Sequence, residues 1–398
     1  MRVLFTTMPV PGHIRPLVPV AQAAQRRGHN VKVCTPVAAK DQVEAYGLVH
    51  VAGGHDWAGD KLRELNRLRQ MPPASRVRAR GDLTAEGMAG EVTLRLAQDV
   101  LALAETWRPD LVVRENSEFG GYLAAEALGL PHVSVGASGG RVDLLASERL
   151  NGALNGLRTR LGLPADPEGQ RPHAYLTVSL APPEFDPHPP PRTRNYRQTN
   201  TLLPDERLPD WMNEVPADRP LVLAAFGTIF PQILAWYDTV RPIIAGLGEV
   251  DCTAIVAVGD GLAALSAGPV PANVRLVDRV PQPLVLECCD LFVSHGGFNS
   301  IREALRLAVP MVVLPWLTDA PANAARCAEL GVAAVIPPDG LTADAVRDNA
   351  RLVLGDPGYR RCAQVVRRHV LALPGMDVLI RDLESIVERG AAVAALSG

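Results

Sequence analysis

A polar stretch in the second half of the chain, His295–Ser300, has the residue types of an anion-binding site. The apolar residues 291–293 before it predict a buried strand, and the apolar spacing after it predicts a helix. Gly296 and Gly297 would let the backbone approach a ligand. Asn299 and Ser300 would lie in the first helical turn, where free N–H groups and the helix dipole favour an anion such as a diphosphate. The alternative is an ordinary strand-to-helix turn with His295 as a turn residue.

A histidine and a carboxylate in the first half have the types needed for proton transfer. His13 follows a predicted strand at 2–7, where a helix would begin, and an imidazole that titrates near neutral pH suits a general base. Glu115 ends another buried apolar run, where a carboxylate could orient the imidazole and stabilise its charged form. Two other interpretations stay open: His13 caps the helix or packs under the loop, and Glu115 forms a salt bridge with Arg114 or Arg141.

Alternating strand and helix patterns place these residues in an α/β fold of two doubly wound domains. Strands at 2–7 and 31–34 enclose a helix, and ligands bind at the carboxyl edge of such sheets. A proline-rich break at 182–191 precedes a second series of strands that starts at 221. We predict a first domain at 1–200, a linker at 190–218 and a second domain at 218–377, with the strand exits of the two domains facing across a cleft.

Composition and charge exclude several classes of protein. The chain has 398 residues, of which 47% are hydrophobic and 21% charged, as in an ordinary globular protein of two domains. A net charge of -3 provides no basic field for nucleic acid or anionic lipid. The loop after the first strand lacks the glycine patterns of dinucleotide and Walker-type sites.

Cysteine usage and the lack of targeting segments predict a cytoplasmic protein. The six cysteines show no C-x-x-C pair and no metal spacing, so we expect buried free thiols and no metal site. No signal peptide opens the chain, and no segment approaches ~20 uninterrupted apolar residues, so no membrane span is expected. None of these features determines the oligomeric state, so a homodimer is one possibility.

Three spaced segments together resemble a known enzyme family: 279–282 (Arg-Val-Pro-Gln), 295–300 and 315–323. They are similar to those of nucleotide-sugar-dependent glycosyltransferases of the GT-B type. That group includes bacterial natural-product glycosyltransferases and the UDP-glycosyltransferases of plants and animals. The resemblance extends over essentially the whole chain. It implies two Rossmann-like domains, an inverting sugar transfer, a dTDP- or UDP-sugar as co-substrate, and no bound cofactor or metal.

The resemblance also implies roles for individual residues. His13 matches the base that activates the acceptor hydroxyl, and Glu115 matches its acidic partner. The positions implied in donor binding are Gly12, Thr228, Arg279, Val280, His295, Gly296, Gly297, Asn299, Ser300, Asp319 and Ala320. A hydrophobic natural-product aglycone would bind in the first domain, where residues 53–100 are apolar enough to line a pocket or to be core, with Trp57, Met71, Met88 and Phe119 as acceptor contacts. The last helix, at about 378–394, would pack back onto the first domain.

Three departures from the family pattern affect these expectations. The family usually has Asp at the position of Glu115, so the longer side chain implies either a looser pairing or another task for Glu115. Many members have Gln at the position of Ala320, where it binds sugar hydroxyls, so we expect a deoxygenated or otherwise modified sugar and favour a dTDP-deoxysugar over UDP-glucose. Arg279 replaces the Trp that stacks on the base in plant relatives, and a guanidinium plane can also stack.

Two further functions fit the same sequence. One is a sugar-nucleotide epimerase on the same fold, which would need several acid and base carboxylates and no acceptor pocket. The other is a non-catalytic homologue that binds a sugar nucleotide or activates a partner glycosyltransferase.

Overall fold

The computed structural model describes residues 1–56, 67, 87–137, 148–199, 201–227, 236–266, 268–316 and 319–396. Four residues named above, Trp57, Met71, Arg141 and Thr228, lie outside these ranges. The chain forms two compact units. The first unit consists of Met1–Ala181, Pro187–Thr201 and Pro374–Gly398, and the second consists of Pro182–Asp186 and Leu202–Leu373.

The first unit is built on a parallel sheet of seven strands in the order β3-β2-β1-β4-β5-β6-β7. β1 is an interior strand, since Val3 pairs with Val31 on one side and with Leu111 on the other. The strands are β1 (Arg2–Thr6), β2 (Asn30–Thr35), β3 (His50–Ala52), β4 (Leu111–Glu115), β5 (His132–Val135), β6 (Thr177–Ser179) and β7 (Thr193–Asn195).

Helices of the first unit occupy the connections between these strands. They are α1 (Pro11–Ile14), α2 (Val18–Arg26), α3 (Lys40–Ala45), α4 (Glu91–Trp107), α5 (Gly120–Ala127) and α6 (Glu148–Arg160). In α4, Leu94, Ala97, Val100 and Ala104 recur every three or four residues and are all buried. This spacing places them on one face of the helix, which therefore packs into the core.

The second unit contains a parallel sheet of six strands in the order β10-β9-β8-β11-β12-β13. Its strands are β8 (Leu221–Ala225), β9 (Thr253–Ala257), β10 (Val274–Val277), β11 (Leu291–Ser294), β12 (Met311–Val313) and β13 (Ala333–Val335). Its helices are α7 (Trp236–Gly248), α8 (Leu262–Ser266), α9 (Gln282–Leu286), α10 (Phe298–Leu307), α11 (Ala320–Glu329), α12 (Ala343–Gly355) and α13 (Pro357–Ala372). The prediction of an α/β fold with two parallel sheets is confirmed.

The last helix, α14 (Met376–Leu396), belongs to the first unit although it follows the second in sequence. Leu379 and Leu383 are fully buried in the same hydrophobic cluster as Val20 of α2. Asp382 of α14 accepts hydrogen bonds from the Tyr196 hydroxyl at 2.5 Å and from Arg194 Nη1 at 2.7 Å. Apolar burial and these polar contacts attach the end of the chain to the first unit.

Two details differ from the sequence-based expectations. β7, at Thr193–Asn195, was not predicted as a strand; it lies where the predicted first domain and linker overlap, and it pairs with β6 to form the edge of the sheet. Cys288 is exposed, and Cys362 is half-buried, whereas the other cysteines are buried and all six are free thiols. Cys288 and Cys289 are adjacent in the turn after α9, and only Cys289 faces the core.

Among the described helices, none is both long and apolar enough to cross a bilayer.

Candidate active site

His13 and Glu115 lie together at the carboxyl edge of the first sheet. β1 and β4 are adjacent and parallel, with Thr6 paired to Arg114, so the residues that follow them meet at one edge. His13 is the third residue of α1, which begins just after β1 and has Val10 as its N-cap, so the helix-capping interpretation is wrong. The side chain of His13 is 20% exposed, that of Glu115 is fully buried, and His13 Nδ1 lies 2.8 Å from Glu115 Oε2.

Glu115 is held in its charged form by its neighbours. The backbone N–H of Ser117 donates a hydrogen bond of 2.6 Å to Oε1. Burial alone would raise the pKa of the carboxyl, but His13 and the Ser117 hydrogen bonds outweigh it, so the pKa of Glu115 lies below its ordinary value. His13 Nδ1 is within ion-pair distance of Oε2, and the two side chains carry opposite charges only when His13 is protonated.

Arg114 is directed at backbone carbonyls and not at the carboxylate of Glu115. Its Nη1 donates to the carbonyl oxygens of Glu115 at 3.3 Å, Asn116 at 2.9 Å and Glu118 at 3.1 Å. Its Nη2 donates to the carbonyl of Pro172 at 3.2 Å, and the residue is 1% exposed. This buried guanidinium therefore shapes the turn that carries Glu115.

A second carboxylate, Glu118, lies beside the pair and was not predicted from sequence. Its Oε1 accepts hydrogen bonds from the backbone N–H groups of Gly120 and Gly121, and its Oε2 accepts one of 2.5 Å from the Thr6 hydroxyl. Burial raises the pKa of Glu118, with partial opposition from these hydrogen bonds. Glu118 caps the start of α5, as acceptor side chains do at helix N-termini.

A shallow surface depression opens next to Glu118 in the first unit. It is lined by Thr7, Met8, Pro9, Pro36, Gly54, His55, Gly87, Val92, Thr93, Leu96, Ser117, Glu118 and Phe119. Phe119, one of the predicted acceptor contacts, is thus part of the wall, although only 1% of it is exposed. Met88 is half-buried beside Gly87 and packs against the same hydrophobic cluster as Phe119.

The predicted anion site lies in the second unit, between β11 and α10. Gly296 has a φ of +84°, in the left-handed region that favours glycine. A Cβ at Gly297 would lie 2.4 Å from His295 Nε2, so no larger residue fits without moving the imidazole. Asn323 holds this loop, because its Nδ2 donates to the carbonyl of Gly296 at 3.0 Å and to Asp319 Oδ2 at 2.9 Å.

The electrostatics of this loop come from backbone groups and a neutral imidazole. Gly297 is the N-cap of α10 and has no side chain to cap the first turn, which contains Asn299 and Ser300. Such a helix start attracts anions through its N–H groups and dipole. Desolvation lowers the pKa of the partly exposed His295 to about 4, against the opposing charge of Asp319, so the ring is neutral near pH 7.

Gln282 connects the segment 279–282 to α10. Its Nε2 donates to Ser300 Oγ at 3.3 Å and to Glu303 Oε2 at 2.6 Å. Arg279 is 77% exposed and lies 4.0 Å from the carboxylates of Asp260 and Asp278. Val280 is half-buried next to it.

Ala320 lies at the start of α11, directly after the N-cap Asp319. It is 2% exposed, and a Cβ placed on Gly296 would come within 3.1 Å of the Cβ of Ala320. Ala320 therefore packs directly against the loop that contains Gly296.

In the described part of the chain, no group of three or more His, Cys, Asp or Glu side chains is arranged to hold a metal ion.

Two domain models of one family match most of the chain. The N-terminal domain of the family described as erythromycin biosynthesis protein CIII-like matches residues 22–190, and its C-terminal domain matches residues 241–386.

Curated proteins and solved structures resemble the chain over nearly its full length. The tylactone mycaminosyltransferase of Streptomyces fradiae is 29% identical, with 97% of this chain and 92% of the relative covered. The 3-alpha-mycarosylerythronolide B desosaminyl transferase of Saccharopolyspora erythraea is 28% identical, with 97% and 98% covered. The crystal structure of glycosyltransferase VinC in complex with dTDP is 26% identical, with a TM-score of 0.76 and with 98% of this chain and 100% of that chain covered.

The chain therefore belongs to the erythromycin biosynthesis protein CIII-like family. It is a glycosyltransferase with the GT-B fold, of the kind that acts in antibiotic biosynthesis. The resemblance found in its three spaced segments is confirmed.

Proposed function

We propose that the protein transfers a sugar, with inversion at the anomeric carbon, from a nucleoside diphosphate sugar to a hydroxyl of a hydrophobic natural product. The observation that carries this proposal is the 2.8 Å contact between His13 Nδ1 and Glu115 Oε2. Because Nδ1 faces the carboxylate, Nε2 is the ring atom that takes the proton of the acceptor. His13 is thus the general base and Glu115 its acidic partner.

The transfer is a single displacement. The acceptor oxygen attacks the anomeric carbon on the face opposite the diphosphate, the bond from that carbon to the diphosphate oxygen breaks, and the proton passes to His13 Nε2. Glu115 has a pKa below its ordinary value, so it is ionised near neutral pH and stabilises the imidazolium. A placed base of this kind contributes ~10²–10⁴-fold to the rate.

The second unit binds the donor in this proposal. The first turn of α10 and the neutral His295 hold the diphosphate, and their N–H donors and the helix dipole stabilise its charge as it leaves. The proposed donor contacts in this unit are Thr228, Arg279, Val280, His295, Gly296, Gly297, Asn299, Ser300, Asp319 and Ala320.

A dTDP-deoxysugar is the proposed donor. Relatives of this chain are named for the transfer of mycaminose and desosamine, and VinC was solved with dTDP. The buried methyl group of Ala320 supports the same choice, because it provides no hydrogen bond for a sugar hydroxyl. Removing such a polar contact favours substrates that lack the hydroxyl.

The first unit binds the acceptor in this proposal. The depression beside Glu118 is largely apolar in its lining residues and includes Phe119, which suits a hydrophobic aglycone. The relatives from Streptomyces fradiae and Saccharopolyspora erythraea are named for the macrocyclic acceptors tylactone and mycarosylerythronolide B. Met88, Trp57 and Met71 are the other proposed acceptor contacts.

Ligand binding and product stereochemistry test the proposal. Melting temperatures of the full chain would be measured with dTDP, with UDP and without nucleotide, since a ligand stabilises the fold it binds. We expect the larger increase with dTDP; a larger increase with UDP would overturn the donor choice, and no increase with either would overturn the donor site. The anomeric configuration of the product, determined by NMR, should be opposite to that of the donor, and retention would overturn the mechanism.

A further inference from the structure

The short segment Pro182–Asp186 packs into the second unit, although the residues on both sides of it belong to the first. Residues Pro183–Phe185 form one turn of 3-10 helix after Pro182. The two prolines restrict the backbone of this turn. On its N-terminal side, Asn195 Nδ2 donates a hydrogen bond of 2.8 Å to the carbonyl of Ala181, which anchors the preceding residue to the first unit.

Side chains of α11 and α13 hold the segment in the second unit. Arg326 donates to the carbonyl of Glu184 through Nε at 2.7 Å and also through Nη2. His369 Nδ1 contacts the carboxylate of Glu184, but its side chain is 54% exposed, so this contact adds little. With these contacts in place, Phe185 is buried in the second unit, where it is 3% exposed.

Phe185 packs on the first residue of α10. The ring centroids of Phe185 and Phe298 are 5.6 Å apart with their planes tilted by 42°. Phe298 follows Gly297 and precedes Asn299, so its position determines where the first N–H groups of α10 lie. Aromatic pairs at this separation attract each other beyond the effect of their buried area.

Arg302, one turn further along α10, contacts the same ring. Its guanidinium carbon lies 4.8 Å from the Phe298 centroid, and its Nη2 donates to Asn299 Oδ1. This hydrogen bond determines the orientation of the amide, since only the oxygen can accept it. The amide nitrogen of Asn299, which is the end that can donate to an anion, therefore lies on the other side of the amide from Arg302.

We propose that Phe185 and Arg302 are positioning residues for diphosphate binding, acting through Phe298 and Asn299. Phe185 holds the ring at the start of α10, and Arg302 holds both that ring and the Asn299 amide. A helix start binds an anion well only when its N–H groups are pre-organised, and side chains outside the site provide that rigidity here. The inference rests on the proposed function, in which His295–Ser300 binds the donor diphosphate.

Comparison of two ligands separates positioning of the diphosphate from general stability. Binding of dTDP would be measured by calorimetry and binding of thymidine, which has no phosphate, by ligand-observed NMR, both on the full chain. For Phe185→Ala and Arg302→Lys we expect about tenfold weaker dTDP binding and thymidine binding within about twofold of wild type. Phe185→Tyr, which keeps the ring, should restore dTDP binding.

Glu184→Gln is the matched control, because it removes the negative charge beside His369 and leaves the backbone carbonyl of residue 184, which Arg326 holds, and Phe185 in place. It should bind both ligands like the wild type. If Phe185→Ala does not fold, Phe185→Leu takes its place, with a smaller loss of dTDP binding expected.

Two outcomes would overturn the inference while leaving the proposed function intact: variants that bind dTDP like the wild type, or equal losses for dTDP and thymidine. A wild type that binds neither dTDP nor UDP would instead overturn the donor site itself, and the inference with it.

Discussion

The two candidate sites of this glycosyltransferase use opposite kinds of electrostatics. In the first unit, His13 and Glu115 are two titratable side chains in contact at 2.8 Å, although they are about a hundred residues apart in sequence. In the second unit, His295–Ser300 is one continuous stretch that relies on backbone N–H groups and on an imidazole that is neutral near pH 7. A proton transfer needs a titratable pair, whereas a permanent anion needs only fixed dipoles.

Each site is also supported by residues outside it. Arg114 shapes the turn of Glu115 through backbone carbonyls, and Asn323 holds the carbonyl of Gly296. The first support is a buried cation and the second a neutral amide. The site with charged side chains is thus supported by a charged residue, and the site built on backbone groups is supported by a neutral one.

Removal of the base is the change that separates the two sites most strongly. We expect His13→Ala to reduce kcat by at least ~100-fold, because it removes the proposed general base, while the affinity for dTDP stays unchanged. Steady-state kinetics and calorimetry would measure the two quantities. His50→Asn, in β3 of the same unit, is the control and should keep the wild-type rate; a near-normal rate for His13→Ala would remove His13 from the mechanism.

Loss of the carboxylate should have the next largest effect. Glu115→Gln is expected to reduce kcat by roughly 10–100-fold, because the imidazolium loses its stabilising charge. Steady-state kinetics would measure kcat for both proteins. Glu115→Asp keeps the charge and should retain more activity than Glu115→Gln; equal losses for the two variants would show that the charge of Glu115 does not act on His13.

A polar side chain at position 320 should change donor preference without affecting the base. Ala320→Gln should shift the ratio of kcat/KM for dTDP-glucose over a dTDP-deoxysugar by about tenfold toward dTDP-glucose, because an amide can hydrogen-bond the additional hydroxyl. Ala325→Gln is the matched control, as Ala325 is exposed on the same helix and should leave the ratio unchanged. An unaltered ratio for Ala320→Gln would mean that this position does not select the sugar.

The smallest expected effect concerns pH and stability in the second unit. The pKa of His295 is about 4 in the folded protein against an ordinary value of 6.5, so the unfolded chain binds the proton more readily between these values. Lowering the pH from 6.5 to 4 should therefore destabilise the wild type by about 1–3 kcal/mol more than His295→Asn. Thermal unfolding across this range would measure it, and parallel curves for the two proteins would contradict a neutral His295.

Local patterns predicted the parts of the protein that depend on neighbouring residues. The second series of strands was predicted to start at 221, where β8 (Leu221–Ala225) begins, because a continuous apolar run between turn residues has few alternatives. The strand-turn-helix of the anion site was recognised for the same reason. Two glycines, an adjacent strand and a helix start are all visible within fifteen residues.

Contacts between distant residues were less predictable. The sequence left open whether Glu115 pairs with His13 or with Arg114, and the structure places the carboxylate against the imidazole and the guanidinium against carbonyls. Glu118 was not predicted, because its position two residues before a glycine pair carries no distinctive pattern. Only the hydrogen bonds in the structure show that its carboxylate caps α5. β7 was not predicted as a strand, since its pairing with β6 depends on the edge of a sheet and not on its own composition.

By itself, the sequence determined the α/β class, the two-part organisation and the glycosyltransferase family, because these follow from hydrophobic periodicity and from motifs with fixed local spacing. Only the tertiary structure decided that His13 faces Glu115, that Phe185 reaches Phe298 and that Ala320 is buried beneath Gly296. Each of these contacts joins residues that are more than twenty positions apart. Their proximity depends on the order of strands and on side-chain packing, and no local preference of the chain encodes either.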